Sequence, residues 1–299
     1  MFCCVRIQSE KTKRQPPLIP DNGVTLVTTP HHLDATPVYH PMSAVSIAHL
    51  NCVEVITGPT SSQTALGVLL MHGYGADPSQ FTGVVDVLLQ VMPALKEKKI
   101  RWIFPASPTQ DGPVGSEWFP LDVMEWMSAF MGGQEVLATK LRATPPGMNE
   151  ASEQLIALLA ELVATTDGAG STLGGWVVGG FSQGAMMTCS VVSRLGLKDQ
   201  ERTAFGGVTA PAAMLILSGM CMNINEWAQG FALQKGKGIT ALQLHGRSDM
   251  TCPFHASNWL RDLIATSISI EKHDHSGAHD MGGAAELQKI ATFLHGLAQ

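Results

Sequence analysis

The chain has 299 residues, enough to bury one full core, and its 45% hydrophobic and 15% charged residues are the balance of a globular protein. A formal net charge of −6, with no broad basic stripe, argues against nucleic acid as a main partner. No apolar run approaches the roughly 18–20 residues of a membrane span, and six cysteines without paired spacing suit a reducing compartment, so a cytoplasmic location is expected.

Residues 1–60 read as an N-terminal extension, partly disordered, with Pro16, Pro17, Pro20, Pro30, Pro37 and Pro41 and little periodicity. Residues 24–27 are expected as a short strand, and residues 45–56 as another that leads into a sheet. Cys3 and Cys4 lie just ahead of Arg6, Lys11, Lys13 and Arg14. Adjacent thiols beside basic charge can accept palmitate and associate reversibly with an anionic leaflet, because two acyl chains hold a protein on a membrane where one barely does. The alternative is an unmodified terminus. A secretory signal is not expected, since the apolar stretch is too short and precedes the charges.

Residues 61–299 read as one catalytic domain. Residues 65–71 form an apolar strand that runs into His72-Gly73-Tyr74-Gly75-Ala76-Asp77. A glycine-rich loop at a strand end can bring a backbone N–H close to a developing oxyanion; His72 itself reads as structural. Residues 100–104 form another strand. An apolar insert follows at about 118–147, with Met124, Trp126, Met127, Phe130 and Met131 and few charges. Flexible methionines suit irregular apolar ligands, so one reading makes the insert the wall of an acyl channel, with Trp118, Phe119, Met127 and Phe130 binding substrate. The other makes Met124, Met127 and Met131, at i, i+3 and i+7, one helical face packed on the core. Pro145-Pro146-Gly147 ends the insert, and residues 151–164 form a helix with Leu155, Leu158, Leu159 and Leu162 facing the core.

The apolar run 175–179 leads directly into Gly180-Phe181-Ser182-Gln183-Gly184, and Met186, Met187, Val191 and Val192 then fall at helical spacing. Strand, sharp turn and helix make a nucleophile elbow, which lifts a serine hydroxyl clear of the top of a parallel sheet. A Cβ at either flank would crowd the turn. The elbow implies an α/β-hydrolase fold, a single domain with a mostly parallel central sheet flanked by helices, and acyl transfer through a serine ester. In that architecture one oxyanion donor is the N–H of the residue after the nucleophile, here Gln183, and the other comes from an early strand-to-helix loop, with Tyr74 the candidate.

A serine hydroxyl needs a base, and the base needs an acid, in the chain order Ser, Asp or Glu, His. Residues 212–222 suit a buried strand interrupted at Ser218 and Gly219. Residues 239–244 form a strand ending in His245-Gly246-Arg247-Ser248-Asp249-Met250-Thr251-Cys252-Pro253, so Asp249 sits just past a strand, where the acid belongs. Pro253 is placed to open the next helix. Residues 267–270 form the last strand, continuing toward His273, and residues 282–297 the last helix, with Leu287, Ile290, Phe293 and Leu294 on one face. Between them lie His273, His275 and His279. A loop histidine can swing toward the elbow, which favours His279 as base; His275 is the rival, and His273 packs by the strand. No cysteine or carboxylate set at zinc spacing accompanies them, so no metal is expected.

These segments together resemble the acyl-protein thioesterase and carboxylesterase family over residues 62–299. The resemblance rests on the loop from Leu70 to Asp77, on Phe104-Pro105-Ala106-Ser107-Pro108 followed by Glu117-Trp118-Phe119, on Gly180-Phe181-Ser182-Gln183-Gly184-Ala185, on His245-Gly246 with Asp249 and Pro253, and on His279 before the final helix. It implies a serine hydrolase without a cofactor, acting on fatty acyl thioesters of protein cysteines or on lipid and small esters. Ser182 would be nucleophile, Asp249 acid and His279 base, with Tyr74 and Gln183 supplying oxyanion N–H groups. The chain departs from the pattern at Ala76, at Pro120-Leu121 and in a longer, Met-rich segment 123–150. Other readings are a lysophospholipase or general small-ester hydrolase, and a non-catalytic acyl-binding protein.

Overall fold

The computed structural model describes residues 42–112, 115–198, 205 and 209–299; the expected strand at 24–27 and the adjacent Cys3 and Cys4 lie outside them. Ten strands occur among the described residues: β1 (Met42–Ile47), β2 (Leu50–Thr57), β3 (Leu66–Met71), β4 (Ile100–Pro105), β5 (Thr109–Gly112), β6 (Gly115–Glu117), β7 (Trp176–Phe181), β8 (Ala213–Leu217), β9 (Thr240–Gly246) and β10 (Ser269–His275). Eight of them form one sheet in the order β1-β2-β4-β3-β7-β8-β9-β10. The run from β4 to β10 is parallel, while β2 pairs antiparallel with both β1 and β4. The small antiparallel pair β5–β6 stands apart.

A parallel strand covered on both faces reads as a continuous apolar run, and all six residues of β3 are buried. Successive side chains still alternate between faces. Val68 and Leu70 join Trp102, Phe104, Val177 and Leu215 in one core, while Leu69 and Met71 join Ile103, Val178 and Ile216 in the other. The helices are α1 (Pro78–Phe81), α2 (Gly83–Val91), α3 (Val123–Met131), α4 (Gln134–Arg142), α5 (Met148–Thr165), α6 (Gln183–Leu197), α7 (Ile224–Gln234), α8 (Phe254–Ala265) and α9 (Ala284–Leu297). α2 and α9 close the first core; α3 to α8 close the second. This is the expected α/β-hydrolase fold.

Two expectations change. The boundary drawn at residue 60 does not separate an extension from the sheet, because β1 and β2 are sheet strands. The single strand expected over 45–56 is a hairpin that turns at Ala48 and His49, both at positive φ. The Ala48 N–H there donates to Glu161 on α5 at 2.7 Å. A turn without glycine, proline or asparagine inside an apolar run left no mark to read.

The insert contains α3 and α4. Its inward side chains are Trp126, Ala129, Leu137 and Leu141, whereas Met124, Met127 and Met131 are exposed. The core-facing methionine stripe is therefore overturned. One buried tryptophan removes more apolar area from water than a methionine does, and α3 is rotated to bury Trp126.

Candidate active site

The sheet order reverses at β3, whose neighbours are β4 on one side and β7 on the other. Loops leaving the carboxyl ends of two such strands part in opposite directions and open a crevice. Here those loops are residues 72–77 after β3 and the elbow after β7.

Ser182 occupies the elbow at φ 56° and ψ −116°, a region that side-chain-bearing residues rarely adopt. Its backbone is held from both ends. The Ser182 N–H donates to Leu217 O at 2.8 Å, and Ser182 O accepts from Ala185 N at 3.0 Å and Met186 N at 3.2 Å. The flanking glycines are required by close approach. A Cβ on Gly180 would collide with the Gly184 backbone, and one on Gly184 with the carbonyls of Met71 and His72.

Gln183 is the first residue of α6, so its N–H has no acceptor within the helix. Its buried side chain pairs with the backbone of the insert: Oε1 accepts from Trp118 N at 2.9 Å and Nε2 donates to Phe119 O at 2.7 Å. Gln183→Leu strands both groups without partners. An unmade buried hydrogen bond costs about 1–3 kcal/mol, so a loss of about 2 kcal/mol is expected in urea unfolding, with kcat/KM reduced less than tenfold.

One imidazole bridges Ser182 and Asp249. His279 Nε2 lies 2.8 Å from Ser182 Oγ, and Nδ1 lies 2.7 Å from Asp249 Oδ2. The other oxygen of buried Asp249 accepts from Thr251 N and Cys252 N, each at 2.8 Å. His245, fully buried in β9, reaches Cys252 O with Nε2 at 2.8 Å and comes within 3.4 Å of Asp249 Oδ2. Burial holds its pKa below the usual value, so a neutral ring braces the acid loop. The other two histidines lie elsewhere. His275 Nδ1 accepts from Gly277 N at 3.1 Å, and His273 Nε2 is 3.2 Å from Glu286.

The β3 loop is set by His72. Ser107 N–H donates to His72 Nε2 at 3.3 Å, so the ring's proton is on Nδ1, which donates to Gly73 O at 2.8 Å. Burial lowers the His72 pKa and keeps the ring neutral. In a trans peptide the carbonyl and the next N–H point opposite ways. With Gly73 O turned to His72, the Tyr74 N–H faces away from that ring. The loop meets the elbow closely, since a Cβ on Gly73 would be 3.3 Å from Ser182 Cβ. β6 braces it further, with Gly75 N donating to Ser116 O at 2.7 Å. The Tyr74 phenol is pushed up by burial and by the Glu117 carboxylate to which it donates.

Trp118 and Phe119 are buried, and Trp118 Nε1 donates to His72 O at 2.9 Å; both reach the site through Gln183 and the β3 loop. Phe130 is half-buried, edge-on to His255 at 5.4 Å, and Met127 is exposed. His245, Ser218 and Cys252 were given no role by sequence reading. Ser218 Oγ donates to Asp280 O at 2.7 Å, beside His279. The Cys252 thiol hydrogen-bonds with Ser182 and is pushed well up by burial, so it stays protonated and does not compete as a nucleophile. The usable signal was a polar residue placed at the carboxyl end of an apolar strand.

Known proteins share this arrangement of strands and loops. The family model described as Phospholipase/Carboxylesterase matches residues 50–298. The fold is similar to that of esterase PE8, at 23% identity and TM-score 0.59 over 86% of this chain and 99% of that one. It is similar also to the Bacillus cereus carboxylesterase (14%, 0.56, covering 84% and 95%) and to Zea mays acyl-protein thioesterase 2 (16%, 0.54, covering 82% and 99%). No curated protein sequence matches the chain. Among the described residues no helix is long and apolar enough to cross a membrane. The chain belongs to the phospholipase/carboxylesterase family of α/β-hydrolases and is an ester hydrolase.

Proposed function

We propose that this protein is a serine hydrolase that cleaves fatty acyl thioesters of protein cysteines, with Ser182, His279 and Asp249 as its triad. The observation that carries the reading is the single His279 ring within hydrogen-bond distance of both Ser182 and Asp249. In the first half-reaction His279 Nε2 takes the Ser182 proton as Oγ attacks the acyl carbonyl, and Asp249 steadies the imidazolium. The Tyr74 and Gln183 N–H groups receive the oxyanion, the second aided by the positive end of α6. The thiol leaves, and water activated by His279 then frees Ser182. A thiolate, with pKa near 8.5, departs with less protonation than an amine, which favours thioesters over peptides.

Support for a long acyl chain comes from α3, where Met127 and Phe130 leave adaptable apolar surface uncovered or half-covered. The second reading, a lysophospholipase or small-ester hydrolase, is favoured by the burial of Trp118 and Phe119, which leaves them little surface for a chain. Comparing kcat/KM on a palmitoyl-cysteine peptide and a short-chain aryl ester, with Ser182→Ala as control, separates the two. At least tenfold preference for the thioester is expected, lost in the control. Turnover of the short ester alone would transfer the site to the second reading.

A further inference from the structure

β10 ends at His275, and only three residues, Ser276 to Ala278, separate it from His279. That turn decides where the base ring stands. It is tied to the acid loop by backbone bonds: Arg247 N donates to His275 O at 2.8 Å and Ser248 N to Gly277 O at 3.0 Å. The two loops touch so closely that a Cβ on Gly246 would collide with Ala278 O. The turn also borders a cleft of about 520 Å³ lined by His273, His275, Gly277, Asp280 and Glu286 among others.

The buried His275 ring spans the turn. The Gly277 N–H donates to Nδ1 at 3.1 Å, and a Cβ on Gly277 would come within 2.7 Å of the same nitrogen. A nitrogen that accepts carries no proton, so the ring's proton is on Nε2. Nε2 is buried and has no partner among the described residues. An unsatisfied buried donor calls for an explanation, and the Nδ1 bond supplies one: the tautomer that leaves Nε2–H unpaired is the tautomer the turn requires. Asp280 Oδ1, 3.7 Å from Nδ1, is committed to Gly282 N at 2.8 Å.

We propose that His275 is a positioning residue for the base. Its neutral ring, accepting at Nδ1, fixes the turn that sets His279 between Ser182 and Asp249. The proposal rests on the reading of His279 as base. It also assigns a role to the second histidine of the cluster without placing it at the reacting atoms.

The test compares His275→Phe, which keeps a ring but removes the acceptor, with His275→Asn, whose Oδ1 stands near the Nδ1 position. A misplacement of about 1 Å can cost roughly 10²-fold. His275→Phe is therefore expected to lower kcat by about 10- to 100-fold with KM within twofold. His275→Asn should recover activity to within about threefold. A His275→Phe variant as active as the parent, or an Asn variant as impaired as Phe at equal thermal stability, would overturn the proposal. Loss in both variants equal to that of His279→Ala, with loss of fluorophosphonate labelling of Ser182, would instead make His275 the base. Retained turnover in Ser182→Ala and His279→Ala would sink the triad reading separately. Nitrogen NMR of the parent's histidines needs no variant: Nε2–H is expected for His275 at pH 8, and Nδ1–H would refute it.

Discussion

His279→Ala should lower kcat for the best ester substrate on the order of 10⁴- to 10⁶-fold, and adding Ser182→Ala should cost almost nothing more. The reason is geometric. Ser182 Oγ, the two ring nitrogens and Asp249 Oδ2 form one unbroken line of hydrogen bonds at 2.8 and 2.7 Å. Removing the ring leaves the hydroxyl with no base to take its proton and leaves Asp249 with nothing to orient. Each member works only through the others, so the losses do not add. Steady-state kinetics of the two single variants and the double variant check this, with fluorophosphonate labelling as a second readout. Additive losses, or a His279→Ala variant within tenfold of the parent, would show that Ser182 is activated by another group.

Gly184→Ala should impair both stability and rate, an unusual outcome for one methyl group. The added Cβ would be driven into the carbonyls of Met71 and His72, backbone atoms of β3 and its loop that cannot swing aside. Overpacking costs typically 1–3 kcal/mol, and a site closed by backbone on one side falls at the upper end, about 3 kcal/mol. If α6 moves away to relieve the clash, the Gln183 N–H moves with it. That N–H is one of the two proposed oxyanion donors, and loss of one such donor is worth about 10²–10³-fold in kcat, so kcat should fall about 10²-fold with KM little changed. Urea unfolding and steady-state kinetics on one preparation measure both effects. Gly296→Ala in α9 is the control, because a Cβ there meets nothing within 4 Å; it should be neutral or slightly stabilising. A Gly184→Ala protein with the parent's midpoint and kcat would mean that elbow and β3 loop are not held against each other.

Much of the site was legible because parallel strands announce their ends. β3, β7 and β9 are largely apolar runs that stop abruptly at His72, Ser182 and the loop after Gly246, and chemistry collects at those carboxyl ends. The choice between His275 and His279 was less legible, because four residues of sequence do not say which ring turns toward the elbow. The β5–β6 hairpin was not foreseen: Thr109–Gly112 is polar and has no apolar alternation to betray a strand. The face of α3 was left open because the methionine spacing and the Trp126–Ala129–Phe130 spacing are both helical, and periodicity alone does not say which stripe faces inward. The side-chain bridge from Gln183 to the insert was invisible too, since it joins residues 64 and 65 positions apart.

The position of β3 between β4 and β7 affects the order in which this enzyme can become active. Ser182, Asp249 and His279 all come from β7 and beyond, whereas the loop facing them across the crevice comes from β3, more than a hundred residues before Ser182. Closing so long a stretch of chain is among the slower events in folding. A nascent or partly unfolded chain can therefore own every residue of the proposed triad and still lack the β3 side of the crevice. Hydrolysis becomes a property of the finished sheet, and regain of esterase activity during refolding should report the seating of β3 beside β7 rather than the collapse of the chain.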